Sequence, residues 1–209
     1  MNIIIIGIGS VARNVTDILN SEFNYQIKGF LGSELEATKF ANMKIYQGIP
    51  FLGSRKILRD INQHDINGFI VATGDRYLRE EIYNEAKASG LIPINAISKN
   101  AIFEGKNILG SGIIIGSGSI IQNGVTIDDN VRIGSSVILD YECRIESNCN
   151  IDTGSYVGRR VVIKKNCHLG IKTSINENIE IGKNHSILNY TNIEKDLTDL
   201  PRSNSLVNE

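Results

Sequence analysis

The 209-residue sequence predicts two folds in series: an α/β unit with a parallel sheet over residues 1–96 and a parallel β-helix over 97–196, with 197–209 as a C-terminal tail. Three observations carry this. Large apolar residues recur every six positions from Ile97 onward without a break in phase. Before that point the period is absent, and apolar runs alternate with amphipathic stretches. A glycine pair, Gly7 and Gly9, joins the first apolar run to the first amphipathic one.

The first unit reads element by element. Asn2 to Ile6 is nearly all β-branched, the pattern of a strand buried on both faces. Gly7-Ile8-Gly9-Ser10 follows and opens a helical stretch to about Leu19. Tyr25 to Leu31 reads as a second strand, Ile57 to Asn62 as part of a short helix, and Gly68 to Ala72 as a third strand. Arg76 to Ser89 is an amphipathic helix with Leu78, Ile82 and Ala86 on one side. Leu91 to Ile97 leads into the first coil. Strand and helix in alternation mean a parallel sheet flanked by helices.

The second unit is dictated by its repeat. Stepping by six from Ile97 gives Phe103, Leu109, Ile115, Ile121, Ile127, Ile133, Leu139, Ile145, Ile151, Val157, Ile163, Leu169, Ile175, Ile181, Ile187 and Ile193. At a background apolar frequency of roughly 0.4, chance would produce that series on the order of once in ten million trials. The position after each is often Gly or Asp (Gly110, Gly116, Asp128, Gly134, Asp140, Gly158, Gly170, Gly182), which suits a corner. The fifth position is small or β-branched, as at Ala101, Ser119, Val125, Cys143, Ser155 and Thr173. One large and one small inward position per hexad describe short strands wound into a triangular prism. Three hexads make a coil of about eighteen residues, so residues eighteen apart stack.

Composition excludes several classes. With 41% hydrophobic and 22% charged residues and a net charge of −1, the chain is an ordinary globular one without a nucleic-acid footprint. Ile3 to Ile6 is too short for a membrane span, and no basic n-region precedes it, so a cytoplasmic location is expected. Cys143, Cys149 and Cys167 all fall in the small interior slot, which makes them packing residues rather than thiols for metal or redox chemistry. His168 and His185 fall at different hexad slots and His64 in the other domain, so no zinc site is expected.

The Gly7 to Ser10 turn between a buried strand and a helix start presents backbone N–H groups and a positive helix end, the setting that binds phosphate. The turn also has a purely structural reading, a tight bend that needs glycine. Ala12 stands where a dinucleotide fingerprint has its third glycine, and the second strand ends in Gly32-Ser33-Glu34. Neither favours a dehydrogenase. Charge is also uneven along the coils: Ile97 to Gly158 holds four basic against seven acidic residues, and Arg159 to Lys195 seven against three. The later coils are therefore the ones that phosphates would prefer, unless that face is simply solvated.

Taken together, Ile3-Ile4-Ile5-Ile6-Gly7-Ile8-Gly9-Ser10, the strand end Gly29-Phe30-Leu31, Val71-Ala72-Thr73-Gly74-Asp75 and the coils resemble one family over the whole chain. These are the bacterial sugar O- and N-acyltransferases, which include sialic acid O-acetyltransferases and N-acetyltransferases of UDP- and dTDP-linked 4-amino sugars. The resemblance implies a Rossmann-like first domain, a left-handed β-helix of hexapeptide repeats and a homotrimer. It implies nucleotide-sugar binding by Gly7, Gly9, Ser10, Ser33, Gly74 and Asp75. It implies acyl-CoA in a groove between subunits, with Asn150, Gly158, Gly170, Lys172 and Lys195 as contacts. Acetyl-CoA or another acyl-CoA is the co-substrate, and no metal, nucleic acid or membrane is expected.

The family's active-site string, apolar-acid-His-acid-Cys-x-Ile, corresponds here to Leu139-Asp140-Tyr141-Glu142-Cys143-Arg144-Ile145. Tyr141 stands where the family's proton-accepting His would be, Asn150 replaces a second His, and Ser98-Lys99-Asn100-Ala101 replaces the family's proline-containing entry to the helix. A phenol of ordinary pKa near 10 is only about 0.1% ionised at pH 7 and cannot simply stand in for imidazole. Four routes stay open: a neutral amine attacks unaided with Tyr141 orienting it, Glu142 or Asp140 is the base, the base lies elsewhere, or the site is inactive. Hydroxyls are poorer nucleophiles than amines, so an absent base favours N-acylation of a nucleotide-linked deoxyamino sugar, such as a 4-amino-4,6-dideoxyhexose, for surface polysaccharide. A sialic-acid-type O-acetyltransferase and a non-catalytic nucleotide-sugar-binding trimer are the alternatives.

Overall fold

The computed structural model describes residues 1–21, 25–41 and 43–201, with the backbone alone for 62–64, so positions 202–209 of the expected tail lie outside the described residues. The chain forms two compact units, Met1–Ala96 and Ile97–Glu209.

In the first unit, β1 (Asn2–Ile6), β2 (Gln26–Gly32), β3 (Phe51–Ser54), β4 (Gly68–Val71) and β5 (Ile92–Pro93) form one parallel sheet in the order β3-β2-β1-β4-β5. The isoleucine run explains the centre of that sheet, because Ile3 to Ile6 of β1 are at most 1% exposed. Helix α1 (Ser10–Asn20) buries Ala12, Val15, Ile18 and Leu19. Helix α3 (Arg76–Ala88) packs Ile82, Tyr83 and Ala86 into a core with Ile4, Ile6, Phe69 and Val71. Three elements are additional to the sequence reading: β5, whose residues read only as the lead into the first coil, and the two that follow. Helix α2 (Glu34–Phe40) starts in a reciprocal cap, in which Ser33 Oγ accepts from the Glu36 N–H and Glu36 accepts from the Ser33 N–H. Strand β3 leads into a 3₁₀ segment, Arg55–His64.

In the second unit, seventeen two-residue strands run from Ala96–Ile97 to Asn192–Ile193, and each ends on one of the seventeen apolar positions of the repeat. They stack as three parallel sheets of six, five and six strands, a left-handed β-helix. Partners are eighteen residues apart, as in Ile120 with Ile138 and Arg144 with Val162. The large inward side chains from Ile121 to Ile181 are at most 1% exposed. Small interior polar groups are satisfied across coils: Ser119 Oγ donates to the Gly134 carbonyl at 2.8 Å and Cys167 Sγ to the Gly182 carbonyl at 2.9 Å. All three cysteines are buried and free, and burial pushes the Cys143 thiol up to about 12.

The corner chemistry differs from the sequence reading. From Leu109 to Ile187 the left-handed residue sits three places after each large apolar position, in an unbroken series from Gly112 through Asn130, Ser136 and Glu142 to Tyr190. No β-branched residue occupies any of these positions, whose φ values lie between 54° and 82°. The glycines one place after the apolar residue answer to close approach instead: a Cβ on Gly116 would stand 2.7 Å from the Ser135 nitrogen, and one on Gly134 2.6 Å from that of Thr153. Beyond the final strand, the first residues of the tail close the last coil. Gly182 N–H donates to the Leu197 carbonyl at 2.6 Å, and His185 Nε2 lies 2.7 Å from the Thr198 carbonyl.

Candidate active site

A cleft of about 710 Å³ opens at the carboxyl ends of β1, β2 and β4. In this strand order β2 and β4 flank β1, so the connections leave the sheet in opposite directions and a crevice results. Gly7, Gly9 and Ser10 line it from the β1–α1 turn, Ser33 from the end of β2 and Gly74 from the end of β4, so five of the six residues expected around a nucleotide sugar meet in one place. Asp75 stands outside the lining. Its Oδ1 accepts from the N–H groups of Tyr77 and Leu78 at 2.8 and 2.9 Å and caps α3.

The two glycines of the turn do different work. Gly7 has φ +124°, and a Cβ there would lie 2.5 Å from the Ala72 carbonyl oxygen, so β1 and the end of β4 require it. At Gly9 a Cβ would meet nothing within 4 Å. Gly9 is also the N-cap of α1 and supplies no side-chain acceptor, which leaves the first-turn N–H groups of the helix without a side-chain cap. Sequence reasoning missed the cations of the cleft: Arg55, Lys56 and Arg59 line it from the 3₁₀ segment. Arg55 pairs with Glu81 at 2.9 Å and Lys56 with Glu34 at 2.7 Å. Leu78 of α3, expected in the core, is 40% exposed because it too lines the cleft.

In the second unit, Asp140, Tyr141 and Glu142 form one corner. Both oxygens of Asp140 are engaged: Oδ1 accepts the Tyr141 backbone N–H and Oδ2 the Tyr156 hydroxyl, each at 2.7 Å. That hydrogen bond to a carboxylate is the main cause that holds the Tyr156 phenol above its ordinary pKa. Tyr141 is 43% exposed with the Arg159 guanidinium over its ring, and Glu142 is exposed at a left-handed backbone position.

The residues expected around acyl-CoA are spread over several corners and faces. Gly158 and Gly170 sit where a Cβ would press on the next coil, 2.7 Å from the Ile175 oxygen and 2.6 Å from the Asn189 nitrogen, so coil packing accounts for both. Asn150 is 1% exposed, in register between Arg132 and His168. Lys172 is left-handed and lies over the Tyr190 ring, and Lys195 is exposed beyond the last strand.

One further cluster on this unit was not foreseen. His168 Nε2 lies 2.8 Å from Asp152 Oδ2, while Asp152 Oδ1 accepts from Arg132 Nη2 at 2.5 Å. Burial pushes the Asp152 carboxyl up, but the hydrogen bond to His168 and the Arg132 charge outweigh it and hold the group below the ordinary carboxylate range. The same contact recurs once on each of the three sheets. Asp128, Asp140 and Asp152, twelve residues apart, each contact the residue sixteen further on: Arg144 at 3.4 Å, Tyr156 at 2.7 Å and His168 at 2.8 Å. Among the described residues, no group of three or more His, Cys, Asp and Glu gathers to hold a metal ion, and no helix is long and apolar enough to cross a membrane.

Residues 2–86 match the family described as the PglD N-terminal domain. No curated protein matches the sequence. Among solved structures, the acetyltransferase domain of PglB from Neisseria gonorrhoeae is similar over 96% of this chain and 93% of that one, with a TM-score of 0.70 and 18% identity. PerB from Caulobacter crescentus, solved with CoA and GDP-perosamine, is similar over 94% and 93%, with a TM-score of 0.64 and 21% identity. WeeI from Acinetobacter baumannii follows over 92% and 96%, with a TM-score of 0.52 and 14% identity. Residues 2–86, from β1 into α3, thus match the PglD N-terminal domain family, and the whole chain carries the two-part fold of these solved structures.

Proposed function

We propose that the protein is an acyl-CoA-dependent N-acyltransferase that transfers an acyl group, most simply acetyl, to the amine of a nucleotide-linked deoxyamino sugar. The supporting observation is the cleft at the strand ends of the first unit, in a chain whose full length follows the fold of an enzyme solved with CoA and GDP-perosamine. Gly7, Gly9, Ser10, Ser33 and Gly74 surround the nucleotide, with the diphosphate at the uncapped start of α1. Arg59, exposed at the same cleft, adds a cation for the phosphates. Asp75 acts indirectly, by fixing the start of α3.

The reaction joins the amine nitrogen to the thioester carbonyl and expels the CoA thiol. Asp140, Tyr141 and Glu142 stand at the acceptor, with Tyr141 orienting the amine, and Asn150, Gly158, Gly170, Lys172 and Lys195 mark the path of CoA. The acceptor is a 4-amino-4,6-dideoxyhexose carried on UDP or dTDP, its product feeds surface polysaccharide, and the enzyme works as a cytoplasmic homotrimer.

The test is CoA release measured as free thiol, with each of the UDP-, dTDP- and GDP-linked 4-amino sugars and acetyl-CoA. Thiol release that depends on the amino sugar and yields its amide is expected. Ligand binding by calorimetry without any turnover would leave a non-catalytic binding protein, and transfer to a sugar hydroxyl would make it an O-acetyltransferase.

A further inference from the structure

The corner that carries Tyr141 is a four-residue turn, Asp140 to Cys143, closed by the Cys143 N–H on the Asp140 carbonyl at 3.3 Å. Its third residue, Glu142, has φ 60°, a left-handed conformation unfavourable for an L side chain, so the turn has to be held from outside. The backbone of the next coil holds it in part: the Asp140 N–H donates to the Val157 carbonyl and the Arg160 N–H to the Tyr141 carbonyl, both at 2.9 Å. The Asp140 side chain adds a second hold. One oxygen pins the N–H of Tyr141, and the other accepts the hydroxyl of Tyr156, a residue of that next coil.

Tyr156 occupies an outward position on its strand, in register between Ile138 of the coil below and Ser174 of the coil above. Neither neighbour carries a charge or competes for Asp140. The equivalent aspartates on the other two sheets meet Arg144 and His168, a cation and a side chain that can become one. Only the sheet that leads into Tyr141 uses a phenol. Its hydrogen bond to the carboxylate holds that phenol above its ordinary pKa, so it stays a neutral donor through the neutral range and Asp140 stays its acceptor. With its backbone fixed in this way, Tyr141 stands 43% exposed under the Arg159 guanidinium.

We propose that Tyr156 is a positioning residue of the transfer reaction: its hydroxyl holds Asp140, and Asp140 holds the turn in the orientation that presents the Tyr141 phenol to the amine. This rests on the N-acyltransferase reading above. Tyr156 keeps its own proton throughout. Without its hydroxyl, Asp140 Oδ2 is released, the carboxylate can swing, and the Tyr141 N–H loses a fixed acceptor.

The experiment measures amino-sugar-dependent thiol release by wild type, Tyr156→Phe, Tyr141→Phe and the variant with both changes, and by Asp140→Asn and Asp140→Ala. Calorimetry follows both ligands and melting curves follow the fold. Tyr156→Phe removes only the hydroxyl and is expected to lower kcat about three- to tenfold, the scale of one lost orienting hydrogen bond, with KM and both affinities kept. The double variant should lose no more than Tyr141→Phe alone, because a turn without a phenol to present gains nothing from being held. Residues that merely stabilise the coils would instead multiply their losses. Asp140→Asn still accepts from the Tyr141 N–H and can donate to the Tyr156 oxygen, so it should recover most of the kcat that Asp140→Ala loses. Wild-type kcat in Tyr156→Phe, a loss confined to KM, losses that multiply in the double variant, or an Asp140→Asn enzyme as slow as Asp140→Ala each overturn the assignment and leave the acyltransferase reading standing. Absence of transfer by wild type with every donor and acceptor overturns both.

Discussion

At the scale of single residues, the two glycines of the first turn separate fold from ligand. Gly9→Val points its side chain into open space, so it should fold normally and lose nucleotide-sugar affinity while CoA affinity is kept, and Arg59→Ala should do the same more mildly. Gly7→Ala must instead displace the Ala72 carbonyl and strain a left-handed backbone, and should lose on the order of 1 kcal/mol or more of stability in denaturant melts. Unchanged nucleotide-sugar affinity in Gly9→Val would mean that the cleft is not where the nucleotide sits, and equal loss of both ligands would mean that the substitution merely damaged the fold. Tyr141→Phe tests the acceptor corner: if Tyr141 only orients the amine, turnover should fall at most about tenfold, roughly 1.4 kcal/mol. A Glu142→Gln enzyme that binds both ligands yet turns over none would instead make that carboxylate the base. The Gly7 to Ser10 turn and the Asp140 to Glu142 corner were legible because they are local in sequence. The Asp152–His168 pair was not, since its members are sixteen residues apart and meet only because one coil advances eighteen.

Elements tell the same story with a different reach. The six-residue period located all seventeen strands of the coils, because one large inward residue per strand is a signal repeated many times over. The period did not locate the bend correctly. Glycine after the apolar position looks like a turn residue, yet the left-handed position lies two places later, where Ser136, Glu142 and Lys172 serve as well as Gly118. Ser136→Val, at φ 55° and exposed, should therefore cost about 1–2 kcal/mol, whereas Ser136→Gly should be neutral or stabilising in the same melts. In the first unit α2 and β3 went unread: the Ser33 to Glu36 capping signal was present, but seven- and four-residue elements give too few apolar repeats to register. With them went the cations on the 3₁₀ segment that follows. The interior slot of the coils makes one more claim. With the Cys143 thiol pushed up to about 12 and all three cysteines buried, native protein should react with none of its thiols at pH 8, and denatured protein with three. Rapid labelling of even one native thiol would show that the coils open locally.

For the molecule as a whole, the outer surface of the coils is unusually apolar at several points. Ile108 is 69% and Leu188 71% exposed, and Ile138 and Val162 are half-buried on outward positions. A homotrimer would cover such positions and is the expected state by multi-angle light scattering at micromolar concentration. A monomer with full turnover would exclude a site shared between subunits.

The eighteen-residue register has a consequence for how the length of this chain can vary. Every outward side chain owes its face of the prism to its position modulo eighteen. Removing one hexad between Asp152 and His168 would turn all that follows by a third of a revolution and carry His168 onto a different side from Asp152. Removing three would leave every later residue on its own face, one storey lower. Length in such a protein is quantised: insertions and deletions inside the coils are silent in whole storeys, and otherwise redistribute the entire downstream surface.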